Sequence, residues 1–306
     1  MDKIDQIKTF AAVARDGGFS AASRSLDQPL ATVSRKVSKL EERLGVQLLV
    51  RTTRSVRLTV EGANYLERVF PLLSALEEAE ASVAQENKEL SGELTVTSPV
   101  PFGTKILLPI LVKFMEANPN IRVNHLFDDR RLNYVKKGID LGLRVGPLHD
   151  TSLKMRKLGT VRVVVCASPD YLCKRGAPVT PDDLVGHRTI AFNPSGELTR
   201  WNFQRVGKDE IWANIDPIYN VDSIDANVRF VTAGGGISRF YSYQVADLIA
   251  EGRLKVVLEK FELPERTVSF LYPNTTHLPR RTRAFLDFAS PLLRKKLSDL
   301  LGMVNR

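Results

Sequence analysis

Cysteine is nearly absent: the 306-residue chain has two, Cys166 and Cys173. Two thiols cannot build a disulfide framework, and they lack the two close pairs of a zinc site. Cys166 lies in the apolar run VRVVVCAS and reads as a buried strand residue, with a redox role for the two neighbouring thiols as the second reading. Histidine is also scarce, and His125, His149, His187 and His277 include no pair at helical ligand spacing. No metal or other cofactor is expected. No stretch of ~18 uncharged apolar residues occurs, so no membrane span is expected. The opening MDKIDQIKTF soon meets Arg15 and Asp16 and lacks the apolar core of an export signal, which predicts a cytoplasmic protein. Catalytic signatures are missing as well. There is no G-x-S-x-G and no P-loop, and Gly234, Gly235 and Gly236 lack the spacing of a dinucleotide loop, so the chain is not expected to be an enzyme.

What is present in excess is positive charge, a net +9. Its distribution does not single out one region. Residues 1 to 60 carry eleven Lys and Arg against six acids, residues 61 to 90 are net acidic by five, and the remainder holds a surplus of nine. A nucleic-acid reading must therefore rest on pattern rather than on overall basicity.

The pattern begins at once. Ile4, Ile7, Phe10, Ala11 and Ala14 recur at helical spacing up to Gly17 and Gly18, where a helix can stop. Ser20 is placed to cap a second short helix over Ala21 to Leu26, and after Asp27, Gln28 and Pro29 a third helix is predicted from about Leu30 to Leu44. In that third helix Val33, Val37, Leu40 and Leu44 form one apolar stripe. The other side carries Ala31, Thr32, Arg35, Ser38 and Lys39, flanked by Ser34 and Lys36, with no acid before Glu41. Small residues, hydroxyls and cations on one face suit a major groove lined by base edges and phosphates. After Gly45 the run VQLLVRTTRSVRLT reads as a hairpin wing, whose Arg51, Arg54 and Arg57 are positioned for phosphate or the minor groove.

From Thr59, a plausible cap, Tyr65, Val69, Leu72, Leu76, Ala79 and Val83 step by four and three. That is a heptad seam, read as a linker helix pairing with a second subunit. The alternative is an amphipathic helix packed on its own chain, and Pro71 is expected to bend it or to lie near its end. Beyond Leu90, GELTVTS, ILLPILVKFMEANP, IRVNHLF, a helical LNYVKKG and IDLGLRVG alternate strand and helix, which predicts a largely parallel sheet covered by helices. VRVVVCAS, HRTIAFN and TVSFLYP are further strands, with helices near Ala226 to Ala233 and Pro279 to Ser298.

With IKTFAAVARDGGFSAAS, TVSRKVSKLEERLGVQLLVRTTRSVRLTVEG, IDLGLRVG, SPDYL, TAGGGIS and LPRRTRAFLDF in view, the chain resembles the LysR-type transcriptional regulators over essentially its whole length. The resemblance implies an α/β chain with an all-α winged helix-turn-helix at residues 1–58 and a linker and dimerisation helix at 59–90. It also implies a two-lobed, periplasmic-binding-protein-like (type 2) effector domain at 91–306. Lobe I would take about 91–163 and 268–306, and lobe II about 164–267, with crossings near Val161 to Ala167 and Glu265 to Tyr272.

Position by position, the resemblance assigns Thr32, Ser34 and Arg35 to the DNA-reading helix and Arg51 and Arg54 to the wing, and the polar face read above adds Ala31 and Lys39 as DNA contacts. Where many members have Ser-Gln-Pro, this chain has Pro29, Leu30 and Ala31, so an adenine-reading amide is replaced by a side chain suited to a thymine methyl. For the effector it implies Ser98, Val100, Phe102, Asp128, Arg144, Phe192, Asn193, Ser223 and Ile224. Ser98 also reads as a helix cap, and Phe102, Phe192 and Ile224 as core. Arg144 reads either as an anion contact or as the partner of Asp140 or Asp150. The implied partners are double-stranded operator DNA, a small-molecule effector, and further copies of the chain as a dimer, tetramer or larger ring. The rival from another class is a solute-binding protein of periplasmic-receptor type, which would carry an export signal in place of TVSRKVSKLE.

Overall fold

The computed structural model describes residues 2–51, 56–84, 89–128, 134, 137–147, 153–192, 200–204, 210–274 and 278–305. Three helices open the chain: α1 (Lys3–Asp16), α2 (Phe19–Ser25) and α3 (Leu30–Leu44). Asp2 caps α1 by accepting the Ile4 N–H at 3.1 Å. The second helix starts earlier than expected, with Gly18 before it and no side-chain cap, so Ser20 lies inside its first turn. Pro29 stands just before α3, which runs from Leu30 to Leu44 as expected. The third helix ends at Gly45, whose φ of 70° is the left-handed conformation that glycine adopts without a Cβ clash.

The short antiparallel ribbon of β1 (Leu49–Arg51) and β2 (Val56–Leu58) follows. Glu41 holds its start, accepting the N–H groups of Leu48 and Leu49 at 2.8 and 3.0 Å. Thr59 then caps α4 (Val60–Ala84), accepting the Gly62 N–H at 2.9 Å. Gly62 is required by close approach, because a Cβ there would overlap the Leu48 carbonyl. The helix continues through position 71, in mid-helix rather than at an end. Phe10, Val13, Ala22, Val33, Val37, Leu40, Leu48, Leu49 and Leu66 form the core of this N-terminal unit.

In chain order the remainder is β3 (Gly92–Ser98), α5 (Val100–Phe102), a π-helical turn (Gly103–Leu107), α6 (Leu108–Ala117), β4 (Ile121–Phe127), β5 (Leu141–Val145), β6 (Leu153–Val161), β7 (Val163–Ala167) and α7 (Pro169–Arg175). After these come β8 (Thr189–Phe192), β9 (Arg200–Gln204), β10 (Glu210–Asn214), β11 (Pro217–Val221), α8 (Ile224–Thr232), β12 (Ile237–Tyr241), α9 (Ser242–Ala250), β13 (Lys255–Val257), β14 (Arg266–Pro273) and α10 (Arg280–Val304). Two five-stranded sheets result, ordered β4-β3-β5-β14-β6 and β11-β8-β12-β7-β13, with β9 and β10 as a separate hairpin. The expected largely parallel sheet is replaced by two mixed ones. β3 runs parallel to β4 and β5, but β14 is antiparallel to β5 and β6, and β7 is antiparallel to β12 and β13. The cause is the path of the chain, which leaves the first sheet between Val161 and Val163 and returns to it along β14. Most of LNYVKKG lies outside the described residues.

One contiguous apolar core joins the two sheets. It runs from Leu94, Phe114 and Leu141 through Phe270, Phe285 and Leu293 to Val164, Cys166, Phe240 and Val245. Arg162 fixes the crossing. Its guanidinium donates to both Glu262 oxygens (2.7 and 2.8 Å), to Glu259 (2.6 Å) and to Asn305 (2.6 Å). The Glu262 hydrogen bonds hold that guanidinium even more firmly protonated than usual, against the opposing effect of burial.

Candidate nucleic-acid interface and ligand cavity

On α3 the apolar stripe faces inward: Val33, Val37 and Leu40 have no exposed surface, and Leu44 is half-buried. Ala31, Arg35, Ser38 and Lys39 are exposed on the opposite side, and Thr32 and Ser34 are half-buried. Leu30, at the start of the helix, is 48 % exposed. Lys36 departs from the expected flank of that face. It is buried, donating to Gln28 Oε1 at 2.7 Å and pairing with Asp5 at 2.7 Å, so its charge stitches α3 to α1. In the wing, Arg51 pairs with Val56 through the backbone ladder, and Arg54 lies outside the described residues.

The seam expected on α4 divides. Tyr65 packs against Phe10, with ring centroids 5.9 Å apart, and Val69 is buried. Leu72 is 67 % exposed and Leu76 half-buried. The side chains of Ala79 and Val83 lie outside the described residues, although their backbone is helical.

The candidates in the first sheet interlock. Ser98 is fully buried, its Oγ 2.8 Å from His125 Nε2, and Pro99 rather than Ser98 precedes α5. Burial holds the His125 imidazole below its ordinary pKa, and its ring lies 4.1 Å from that of Phe127. Asp128 donates its N–H to the Ser98 carbonyl at 3.1 Å and accepts from Arg144 through its own carbonyl at 3.2 Å. Asp140 accepts the Thr95 N–H at 2.8 Å and stands 3.7 Å from the Arg281 guanidinium, while Asp150 lies outside the described residues. Val100 is exposed, and Phe102 is buried with its edge toward Tyr243 at 5.0 Å.

A cavity of about 270 Å3 lies in the second sheet beside the two crossings. Phe192 and Ile224, two of the expected residues, line it. Ser223 instead caps α8, accepting the Ala226 N–H at 3.4 Å, and Asn193 lies outside the described residues. The remaining wall was not anticipated: Trp201 and Asn202 on β9, Ser238 to Tyr241 on β12, Gln244 on α9, and Val163, Leu263 and Arg266 at the crossings. Two signals for it stood in the sequence, a tryptophan in the alternating RWNFQ and an arginine inside the apolar run ISRFY. Burial lowers the pKa of Arg239; its guanidinium donates to the main-chain and side-chain oxygens of Asn202 at 3.3 and 3.1 Å and lies 5.7 Å from the Trp201 ring. Two contacts beside the cavity link the sheets, the Phe102–Tyr243 edge and a hydrogen bond from Lys105 Nζ to the Gln244 carbonyl at 2.9 Å.

The cysteines serve neither site. Cys166 is buried opposite Ser238 and Val256, where burial pushes its thiol well above the ordinary range, and Cys173 is exposed on α7. Among the described residues no group of three metal-ligating side chains gathers, and no helix is long and apolar enough to cross a membrane.

Residues 4–63 match the family profile described as "Bacterial regulatory helix-turn-helix protein, lysR family", and residues 87–294 match "LysR substrate binding domain". The chain belongs to the LysR family of transcriptional regulators. This LysR regulator is 32% identical to the Escherichia coli regulator YhjC, across 97% of this chain and 100% of that protein. It is 32% identical to CrgA of Neisseria meningitidis in a solved structure that covers 96% of this chain and 99% of that one, at a TM-score of 0.61. LysG of Corynebacterium glutamicum, solved with its bound effector Arg, shares the fold at 16% identity and a TM-score of 0.67 over 96% of this chain and 99% of that one. The helix-turn-helix match and the regulator relatives give no support to the solute-receptor reading.

Proposed function

We propose that this LysR regulator acts in the cytoplasm as a homo-oligomer. In that assembly two α3 helices read the halves of a partly palindromic operator, and a small molecule in the crossing-side cavity alters how they are set. The observation that carries the DNA half is the exposed, acid-free face of Ala31, Arg35, Ser38 and Lys39 opposite the fully buried Val33, Val37 and Leu40. Thr32 and Ser34 add hydroxyls at its edge. Leu30, exposed at the helix start, suits a thymine methyl, and Arg51 and Arg54 supply the wing with phosphate contacts. Leu72 and Leu76, with Ala79 and Val83 further along the same stripe, form the pairing seam, whereas Tyr65 and Val69 are largely engaged within their own chain.

The effector half rests on the cavity and its neighbours. A ligand held by Phe192, Ile224 and Gln244 lies next to the Lys105–Gln244 and Phe102–Tyr243 links between the sheets. Arg144, which donates to the Asp128 carbonyl, offers the first sheet's polar contact for a ligand that reaches across, and the fully buried Ser98 braces Asp128 through its own carbonyl. Such a ligand shifts the DNA-bound population by no more than its differential affinity for the two arrangements. A gel-shift titration on the promoter beside its own gene tests the proposal. The expected result is a sequence-selective, salt-sensitive complex that Arg35→Ala weakens at least tenfold. No selective complex at low salt would refute it.

A further inference from the structure

Arg162 at the crossing and the half-buried Arg239 on β12 are treated in opposite ways. Arg162 receives two carboxylates, Glu259 and Glu262, at 2.6 to 2.8 Å. Arg239, which lines the cavity, receives none among the described residues: its partners there are the two neutral oxygens of Asn202 and the face of Trp201. Another cation, Arg266, lines the same cavity and acts on Arg239 repulsively. A guanidinium stays protonated in proteins, so it cannot escape burial by losing its proton. Buried charges in folded proteins are paired, and a cavity is where a missing partner can enter. Phe192, Trp201 and Ile224 bring apolar and aromatic surface to the same wall, beside the neutral polar groups of Asn202, Ser238 and Gln244. About 270 Å3 lies at the small end of ligand sites, near the roughly 300 Å3 where they begin, and suits a single-ring compound.

We propose that this cavity binds a small aromatic carboxylate, its carboxylate on Arg239 with Arg266 beside it and its ring against Trp201 and Phe192. The inference rests on the reading of the cavity as the effector seat and adds the chemical class of the occupant. A planar carboxylate matches the two parallel donors of a guanidinium, and a ring matches the apolar wall. The carboxylate supplies the counter-charge that Arg162 obtains from Glu259 and Glu262.

The chain has two tryptophans, and Trp212 is exposed on β10, so full-length protein carrying Trp212→Phe reports from Trp201 alone. Its fluorescence is titrated with benzoate, benzamide and sulfate at constant ionic strength, in that background and with Arg239→Gln added. Benzoate is expected to give a saturable change, at least tenfold weaker in Arg239→Gln, which corresponds to about 1.4 kcal/mol. Benzamide is expected to bind at least tenfold more weakly than benzoate, and sulfate to produce no saturable change. Without ligand, Arg239→Gln is expected to melt no lower than its parent, since it removes a half-buried charge that lacks a counter-charge among the described residues. Benzamide binding as tightly as benzoate would keep the cavity as a ligand seat and overturn its anionic character. Sulfate matching benzoate would overturn the aromatic part. A lower melting temperature with benzoate affinity unchanged would make Arg239 structural and overturn the proposal. Failure of all three probes would overturn it too, while leaving the operator gel shift as a separate test of the regulator reading.

Discussion

Arg35 and Lys36 are neighbours on α3, and substituting each by Gln separates a cation that faces outward from one consumed by the fold. Arg35 is exposed, whereas Lys36 is 8 % exposed and holds Gln28 and Asp5 at 2.7 Å each. Every phosphate neutralised contributes about −0.9 to the slope of log affinity against log salt. Arg35→Gln, lost from both subunits of a dimer, therefore flattens the slope by about 1.8. Between about 50 and 200 mM salt that amounts to roughly a tenfold smaller loss of affinity. Lys36→Gln leaves the slope unchanged and appears instead in stability, at about 1–3 kcal/mol for a hydrogen-bonded charge. The lower end applies because the Asp5 left behind is 39% exposed and stays hydrated. Fluorescence anisotropy on a fixed labelled duplex across a salt series reads the slopes, and urea unfolding reads the stability. Equal flattening by both variants, with Lys36→Gln as stable as the parent, would refute the division of labour between these two cations.

Gly62→Ala is expected to lower the denaturation midpoint of the N-terminal unit by at least the 1–3 kcal/mol of an overpacked core, since its Cβ meets the rigid Leu48 backbone; urea unfolding with wild-type stability would contradict the contact. Leu72→Asp is expected to leave the monomer folded and to weaken self-association about a hundredfold or more, because two leucines at about 1.5–3 kcal/mol each leave the seam; sedimentation showing an unchanged dimer would remove Leu72 from it. Acidification is expected to destabilise the chain through His125 and His187, both held below the ordinary imidazole value of about 6.5 chiefly by burial. Above that value both states are neutral and stability is full, and as pH falls through it the unfolded chain takes protons first, so stability drops until the folded imidazoles also titrate. A urea midpoint that is flat from about pH 7 to pH 5, or a His125→Gln variant with an undiminished drop, would contradict this for His125.

The parts of the molecule visible in the sequence are those whose partners are close by. The α3 stripe, the stop at Gly45 and the Thr59 cap are local, and local periodicity and capping chemistry specify them. Ser20 failed as a cap because the backbone at Gly18 lets the helix begin one residue before it. Lys36 sits at the angular edge of the DNA face, and only its reach to Asp5, on another helix, reveals that it points inward. Sheet direction was less visible still, since β14 pairs with β5 and β6 across more than a hundred residues, and no local signal states which way it runs. Family resemblance supplied Phe192 and Ile224. It could not supply Arg239, whose meaning depends on which side chains from β9 and β14 stand around it.

The cavity's position constrains how a ligand can act at a distance. Tyr241 and Gln244 line it, and Tyr243 between them in sequence meets Phe102, while the Gln244 carbonyl accepts from Lys105. A ligand seated there would touch Gln244, which makes one link and is the sequence neighbour of Tyr243, which makes the other; on the side of the first sheet the two links reach Lys105 in the π-helical turn and Phe102 at the end of α5. That sheet also approaches the DNA-binding unit, because a Cβ placed on Gly138 would stand 3.5 Å from Phe70 of α4 and 3.6 Å from Arg15 of α1. Contiguity of this kind carries coupling when an element along it has two arrangements that ligand and DNA bias differently. The long shared core argues against free rotation of the two sheets, since packed interiors transmit displacement rather than absorb it. The adjustable parts are accordingly the side-chain links at Lys105 and Phe102, which join surfaces beside the cavity.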